Sequence, residues 1–115
     1  MKVRQALLSN MTRAETLTTD EQRQVGREMI AAREAEQAAT DPAVAAEARK
    51  RRFAARDRLV AIMIPWVVKR SSQRYRDSRY EVDDMIGQAL ASIVYGVEQY
   101  DPEIGAATTY LMQWV

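Results

Sequence analysis

The chain has no cysteine and no histidine. Without cysteine there is no disulfide framework and no thiolate metal site. Without histidine as well, zinc binding and triad chemistry lose their usual residues. Glycine and proline are scarce, at four and three of 115 residues. Ala, Arg, Glu and Gln are abundant instead, which favours helices. No apolar run approaches the roughly 20 residues of a membrane span. The stretch from Met1 to Leu8 is too short and too weakly apolar for a signal peptide, so a cytoplasmic location with no membrane partner is expected. One further absence is local: from Tyr80 to Val115 there is no Lys, Arg or His.

Those last thirty-six residues hold six carboxylates, Glu81, Asp83, Asp84, Glu98, Asp101 and Glu103. The thirty-one residues before them, Arg49 to Arg79, carry eleven Lys and Arg against Asp57 and Asp77. A local balance of +9 is followed by one of −6, and the net charge of +1 hides it. With 47% apolar and 29% charged residues, a folded chain is expected rather than disorder. Its length suits one small domain with a modest core.

The chain punctuates itself with helix signals. Residues 1 to 17 read as a flexible lead-in, with Leu7, Leu8, Met11 and Leu17 packing loosely at most. Thr18-Thr19-Asp20-Glu21 is a capping box, in which each end side chain satisfies an orphan amide of the other. The helix it opens runs through Val25, Met29, Ala32 and Ala35 to about Ala39. Its apolar stripe is thin, which places it on the domain surface. Thr40-Asp41-Pro42 is the next boundary, with Asp41 as N-cap and Pro42 in the first turn. From Ala43 the pattern is helical to about Tyr75. Leu59, Val60, Met63, Ile64, Val67 and Val68 give it one buried face. Pro65 lies inside this run, removes one backbone donor and predicts a kink.

A second capping box, Ser78-Arg79-Tyr80-Glu81, opens the following helix. Its stripe is Val82, Met85, Ile86, Ala89, Leu90, Ile93, Val94 and Val97, read mostly as core. Asp101-Pro102-Glu103-Ile104-Gly105 is a turn, with Gly105 permitting a positive φ. Thr108 or Thr109 can cap a last short helix, Tyr110 to Val115. The expected fold class is all-α, a small domain of three to four main helices. It divides into the lead-in, an N-terminal helical segment over 18–54 and a helical domain over 55–115.

Three constellations carry possible chemistry. Arg49, Lys50, Arg51, Arg52, Arg56, Arg58, Lys69, Arg70, Arg74 and Arg76 form a basic face. It is either a solvated helix surface or a surface for phosphates or an acidic protein. Asp83 and Asp84 are adjacent carboxylates, but neighbours on a helix point about 100° apart and no third ligand is evident; no metal and no cofactor are expected. Tyr110 and Trp114 are four apart on one helix face. They are either core or a stacking platform for unpaired bases, each stacked base being worth roughly 1–3 kcal/mol. No nucleophile–base pair or phosphate loop is visible, so an enzyme is not expected.

From Ala55 to Val115 the chain resembles region 2 of the housekeeping-type sigma factors of bacterial RNA polymerase. Arg58-Leu59-Val60 followed by Val67-Val68 looks like the first core helix of that family. Tyr75, a loop, then Asp84-Met85-Ile86 with Gln88 resembles its Tyr…Asp-Leu-Ile-Gln-Glu-Gly segment. Val97-Glu98-Gln99-Tyr100-Asp101-Pro102-Glu103-x-Gly105 is similar to Ala-Val-Asp-Lys-Phe-Asp-Pro-Glu-x-Gly. Thr108-Thr109-Tyr110-Leu111-Met112-Gln113-Trp114-Val115 is similar to Phe-Ser-Thr-Tyr-Ala-x-Trp-Trp-Ile, shortened by one residue before it. More loosely, Leu17 to Ala32 is similar to the helical segment that precedes region 2.

The resemblance implies a transcription initiation factor. Its core-binding surface, docking on the clamp helices of the largest polymerase subunit, would be Asp84, Met85, Ile86, Gln88, Leu90 and Ile93. Its contacts to single-stranded promoter DNA at the −10 element would be Thr109, Tyr110, Gln113 and Trp114. The departures are definite. Gln113-Trp114 replaces the family's paired tryptophans, and Ile104, Ala106 and Ala107 replace basic residues around the glycine turn. Ending at Val115, the chain is expected to be a minimal factor, half of a split factor whose other domains lie on a separate chain, or a truncated product. Two other readings stand beside this one. One is a polymerase effector that occupies the sigma docking site without binding DNA, and the other is a plain helical adaptor.

Overall fold

A computed structural model of the chain describes residues 16–74 and 82–114. The described residues form four α-helices and a closing 3-10 turn, with no strand among them, and the fold is all-α. They are α1 (Thr19–Ala38), α2 (Pro42–Arg74), α3 (Val82–Glu98) and α4 (Ala107–Leu111), the last followed by the 3-10 turn Met112–Trp114. Residues 1–15, 75–81 and 115 lie outside the described residues. So therefore do Leu7, Leu8 and Met11 of the lead-in, Tyr75, and the capping box at Ser78–Glu81.

α1 starts where the sequence says it should. The Glu21 amide donates to Thr18 Oγ1 at 3.2 Å and the Thr18 amide donates to Glu21 Oε1 at 3.0 Å, closing the capping box. The backbone bond holds the Glu21 carboxyl below its usual range. α2 starts on Asp41, whose Oδ1 accepts from the Ala43 amide at 2.9 Å. Pro42 fits the first turn because its missing N–H would be unpaired there in any case. α2 continues through Pro65 to Arg74. At about 1.5 Å per residue it is roughly 50 Å long, close to the 52 Å long axis of the molecule.

α1 and α3 both pack against this spine. Leu59, Met63 and Val67 of α2 and Ile86, Ile93 and Val97 of α3 are fully buried. Each such side chain contributes roughly 1.5–3 kcal/mol by leaving water. α1 keeps half of its residues exposed, as its thin stripe predicts, but it packs tightly along that stripe. Gln22, Val25, Gly26, Met29 and Ala32 are all buried, Met29 completely. α1 enters the core by close approach of small residues rather than by a broad apolar face. Leu17, expected to pack loosely, is also buried.

The end of α3 and the turn after it close onto α1. Tyr100 is 3% exposed, and its ring lies against Gly26. A Cβ on Gly26 would stand 2.7 Å from Tyr100 Cε2 and 3.1 Å from Pro102 Cβ. Only a residue without a side chain fits. The turn itself closes through the Ile104 amide to the Asp101 carbonyl at 3.2 Å and the Glu103 amide to Asp101 Oδ1 at 2.9 Å. No described residue has a positive φ, so the turn forms without the left-handed Gly105 that the sequence suggested. The aspartate side chain supplies the closure instead.

The cap of α4 also differs from the expectation. Ala106 stands at the N-cap and offers no side-chain bond. The buried Gln22 of α1 does this work. Its Oε1 accepts from the Thr108 amide at 3.0 Å and from Thr108 Oγ1 at 3.3 Å, while its Nε2 donates to the Leu17 carbonyl at 3.0 Å. A helix of five residues is marginal alone, and this cap comes from eighty-six residues away. Gly26→Ala is expected to destabilise the domain by about 1–2 kcal/mol, overpacking against Tyr100 exceeding the better helix propensity of alanine. Urea denaturation checks this: the midpoint should fall with the slope unchanged.

Candidate functional site

α3 has two faces with different roles. Residues 84, 87, 88, 91 and 95 fall within about 60° of one line along the helix, by its 100° step. On that outer line Asp84, Gly87, Gln88, Ala91 and Tyr95 are all exposed. The opposite line carries Ile86, Ile93 and Val97 into the core. The six residues of the expected core-binding surface therefore separate. Asp84 and Gln88 are exposed, Met85 and Leu90 are half-buried at the border, and Ile86 and Ile93 are fully buried. The two isoleucines hold α3 to the domain, and their side chains are not on its surface.

Glu98, further along the same line, is paired with Arg33 and Arg52, whereas no hydrogen bond or ion pair within the described residues engages Asp84. Tyr95, three turns further along, is 59% exposed, although it also makes a contact within the chain. Sequence reading passed over Tyr95 because it is neither on the apolar stripe nor in the matched motif. Its spacing from Asp84 was the available signal. Gly87 lies between them, and a Cβ there would meet nothing within 4 Å. Glycine within a helix costs about 0.8–1 kcal/mol relative to alanine, and no packing among the described residues offsets it.

The second cluster is the clamped turn and the short helix beyond it. Tyr100 donates its hydroxyl to the Gly105 carbonyl at 2.6 Å, and burial pushes that hydroxyl's pKa up. Its ring stacks on Tyr110, with centroids 6.0 Å apart and planes at 29°. Tyr110 is half-buried, Thr109 and Gln113 are exposed, and Gln113 Nε2 donates to the Tyr110 carbonyl at 2.9 Å. Trp114 lies in the closing 3-10 turn, and its side chain lies outside the described residues. Of the expected DNA-contact residues, Thr109 and Gln113 thus stand on the surface and Tyr110 packs partly against the core.

Arginines of α1 reach this cluster. Arg23 Nε donates to the Pro102 carbonyl at 2.8 Å. Arg27 forks onto Glu103, with Nε–Oε1 at 2.8 Å and Nη2–Oε2 at 3.5 Å. Arg33 donates to the Glu98 carbonyl at 3.0 Å and to Glu98 Oε2 at 2.7 Å. From α2, Arg52 joins Glu98 at 3.5 Å and Glu36 at 2.9 Å, and Arg49 holds Glu36 at 2.7 Å. The guanidinium groups of Arg52 and Arg56 also lie over the Phe53 ring at 4.6 and 4.4 Å. Part of the basic face is thus matched by the chain's own carboxylates. Lys50, Arg51, Lys69 and Arg70 remain exposed. Among the described residues no group of three or more carboxylates converges as metal ligands would.

No protein-family model, no curated protein and no solved structure matches the chain. The functional reading rests on the residues themselves.

The Arg27 fork, by hydrogen bond and then by charge, holds the Glu103 carboxyl below its usual 4.5, and the same bond raises Arg27. A carboxyl depressed in the folded state contributes stability above its unfolded pKa and loses it as pH falls through the folded value. Melting temperature is therefore expected to fall on acidification below about pH 4.5, and to fall less steeply in Glu103→Gln. Circular dichroism melts of both proteins from pH 7 to pH 3 measure the difference.

Proposed function

We propose that the chain is a sigma-like transcription initiation factor. It binds core RNA polymerase through the outer face of α3 and contributes to recognition and melting of the −10 promoter element. The observation that carries this reading is the presentation of Asp84 and Gln88. They stand at the spacing of the sigma docking helix on an exposed face, and Asp84 has no partner among the described residues. A carboxylate left exposed on one face, while Glu36, Glu98 and Glu103 are each paired, suits a cationic surface on another molecule.

On this reading the partner surface is the clamp helices of the largest polymerase subunit. The second contact is single-stranded DNA at Thr109, Tyr110, Gln113 and Trp114, with Tyr110 backed by Tyr100. Unstacking a base costs a few kcal/mol, which an aromatic platform offsets in part.

A second reading is favoured by a specific observation. The cations nearest the turn, Arg23 and Arg27, are already engaged by Pro102 and Glu103, so this end holds few free charges for phosphates. A polymerase effector that occupies the sigma docking site without binding DNA fits that arrangement.

The test uses purified chain and core polymerase. Asp84→Arg is expected to weaken retention by core polymerase at least tenfold while leaving helicity unchanged. If wild-type chain is not retained, both polymerase readings fail. If the complex then holds a single-stranded −10 oligonucleotide, and Thr109→Ala with Gln113→Ala weakens it several-fold, the sigma reading stands. If the complex binds core but never the oligonucleotide, the effector reading replaces it.

A further inference from the structure

Two features beside α1 lie next to each other and outside the polymerase reading. The first is Ile104, which at 86% exposure is the most exposed large apolar side chain among the described residues. It stands on a turn fixed from several directions. The Tyr100 hydroxyl donates to the Gly105 carbonyl at 2.6 Å, Arg23 Nε donates to the Pro102 carbonyl at 2.8 Å, and the Ile104 amide donates to the Asp101 carbonyl at 3.2 Å. Pro102, in the same turn, is fully buried. An exposed isoleucine is ordinary by itself. This one is held out on a braced turn, so burying it against a partner costs little ordering. The second feature is an open groove of about 510 Å³ between α1 and α2. Alanines of both helices line it, Ala31 and Ala54 among them, with Arg51 and Arg58 on the α2 side and Glu28 on the α1 side. Arg51 is exposed, and no ion pair among the described residues engages it.

We propose that this groove receives the Ile104 turn of a second copy of the chain, and that the exchange is reciprocal, closing a two-fold dimer. Shape and charge select the occupant. The turn is acidic: Asp101 and Glu103 flank the isoleucine's approach, and there is no Lys or Arg from Tyr80 to Val115. The groove lining has two arginines against one carboxylate, so its net charge is opposite to that of the turn. Placement makes reciprocity possible. Ala31, exposed on α1, lines this groove and also a smaller one bounded by Asp101, Pro102 and Glu103 of the turn. The protruding residue and its receiving groove therefore flank the same helix. A two-fold axis passing beside Ala31 carries each Ile104 to the other copy's groove at once, which gives a closed dimer rather than an open chain of subunits. The surface used belongs to α1, α2 and the turn. The outer line of α3 stays free, so the dimer stands or falls independently of polymerase binding.

Sedimentation equilibrium of the full chain measures the association, with a circular dichroism spectrum for each variant. The wild type is expected to dimerise, more weakly as salt is raised. Ile104→Ala truncates an apolar side chain buried twice per dimer and should raise the dissociation constant roughly a hundredfold, with helicity unchanged. Ala54→Glu puts a carboxylate into the groove and should weaken association as strongly. Mixing these two variants is the decisive step. Ile104→Ala keeps an intact groove and Ala54→Glu keeps an intact turn, so the mixture should form a mixed dimer more tightly than either variant associates alone. Glu47→Ala, exposed elsewhere on α2, should dimerise as wild type does. If the wild type stays monomeric at millimolar concentration, the inference is overturned. It is also overturned if Ile104→Ala dimerises like wild type, or if mixing adds nothing to the two variants separately, because the turn would then meet a different surface.

Discussion

The ring of Tyr100 occupies the space that any side chain at position 26 would need, and the rest of the domain is arranged around that contact. Gly26 lets α1 approach the end of α3 closely enough to bury Tyr100. The buried ring then backs Tyr110, and its hydroxyl ties down the Gly105 carbonyl. Pro102, fully buried beside the same glycine, fixes the turn against α1. Remove the contact and three elements lose their common support: α1, the turn and the short α4. The polar counterpart is Gln22, one turn earlier on α1. A buried amide must find partners or cost free energy, and Gln22 finds Leu17 on one side and Thr108 on the other. α4 is ordered because α1 caps it.

The charge contrast along the sequence takes a different form in space. Along the sequence the acidic end directly follows the basic stretch of α2. In the fold, much of the neutralisation comes from α1. Arg27 takes Glu103, Arg33 takes Glu98, and Arg52 of α2 bridges Glu98 to Glu36. These pairs lie at or near the surface, where ion pairs contribute modestly. Their larger effect is selective: Glu98 and Glu103 are occupied, whereas Asp84 stands on an exposed face without such a partner among the described residues. Local charge balance identified the acidic segment but not which of its carboxylates was available.

The all-α fold was legible because its signals are local. The Thr18 capping box, the Asp41-Pro42 start and the period of Leu59, Met63 and Val67 each lie within a few residues of what they determine. The stripe of α1 was legible at Val25, Met29 and Ala32, which are buried as predicted, but Gln22 and Gly26 were not, because they bury themselves by hydrogen bonding and by close approach. The cap on α4 could not be read either, since its donor and acceptor are eighty-six residues apart. For the candidate site, the sigma resemblance pointed to a stretch of α3 but not to which of its residues face outward. Asp84 and Gln88 sit on the outer line, while Ile86 and Ile93, two and nine residues beyond Asp84, point into the core. Their apolar character fitted either role, and only packing separates them.

A helix that serves both a core and a partner must divide its circumference, and α3 does so with little overlap. The inner line uses Ile86, Ile93 and Val97, which are large and branched and are completely buried. The outer line uses Asp84, Gly87, Gln88, Ala91 and Tyr95, none of which the core needs. Alanine at 87 would strengthen α3 without touching anything described in this chain. The same residue type at position 26 has an evident internal cause in Tyr100.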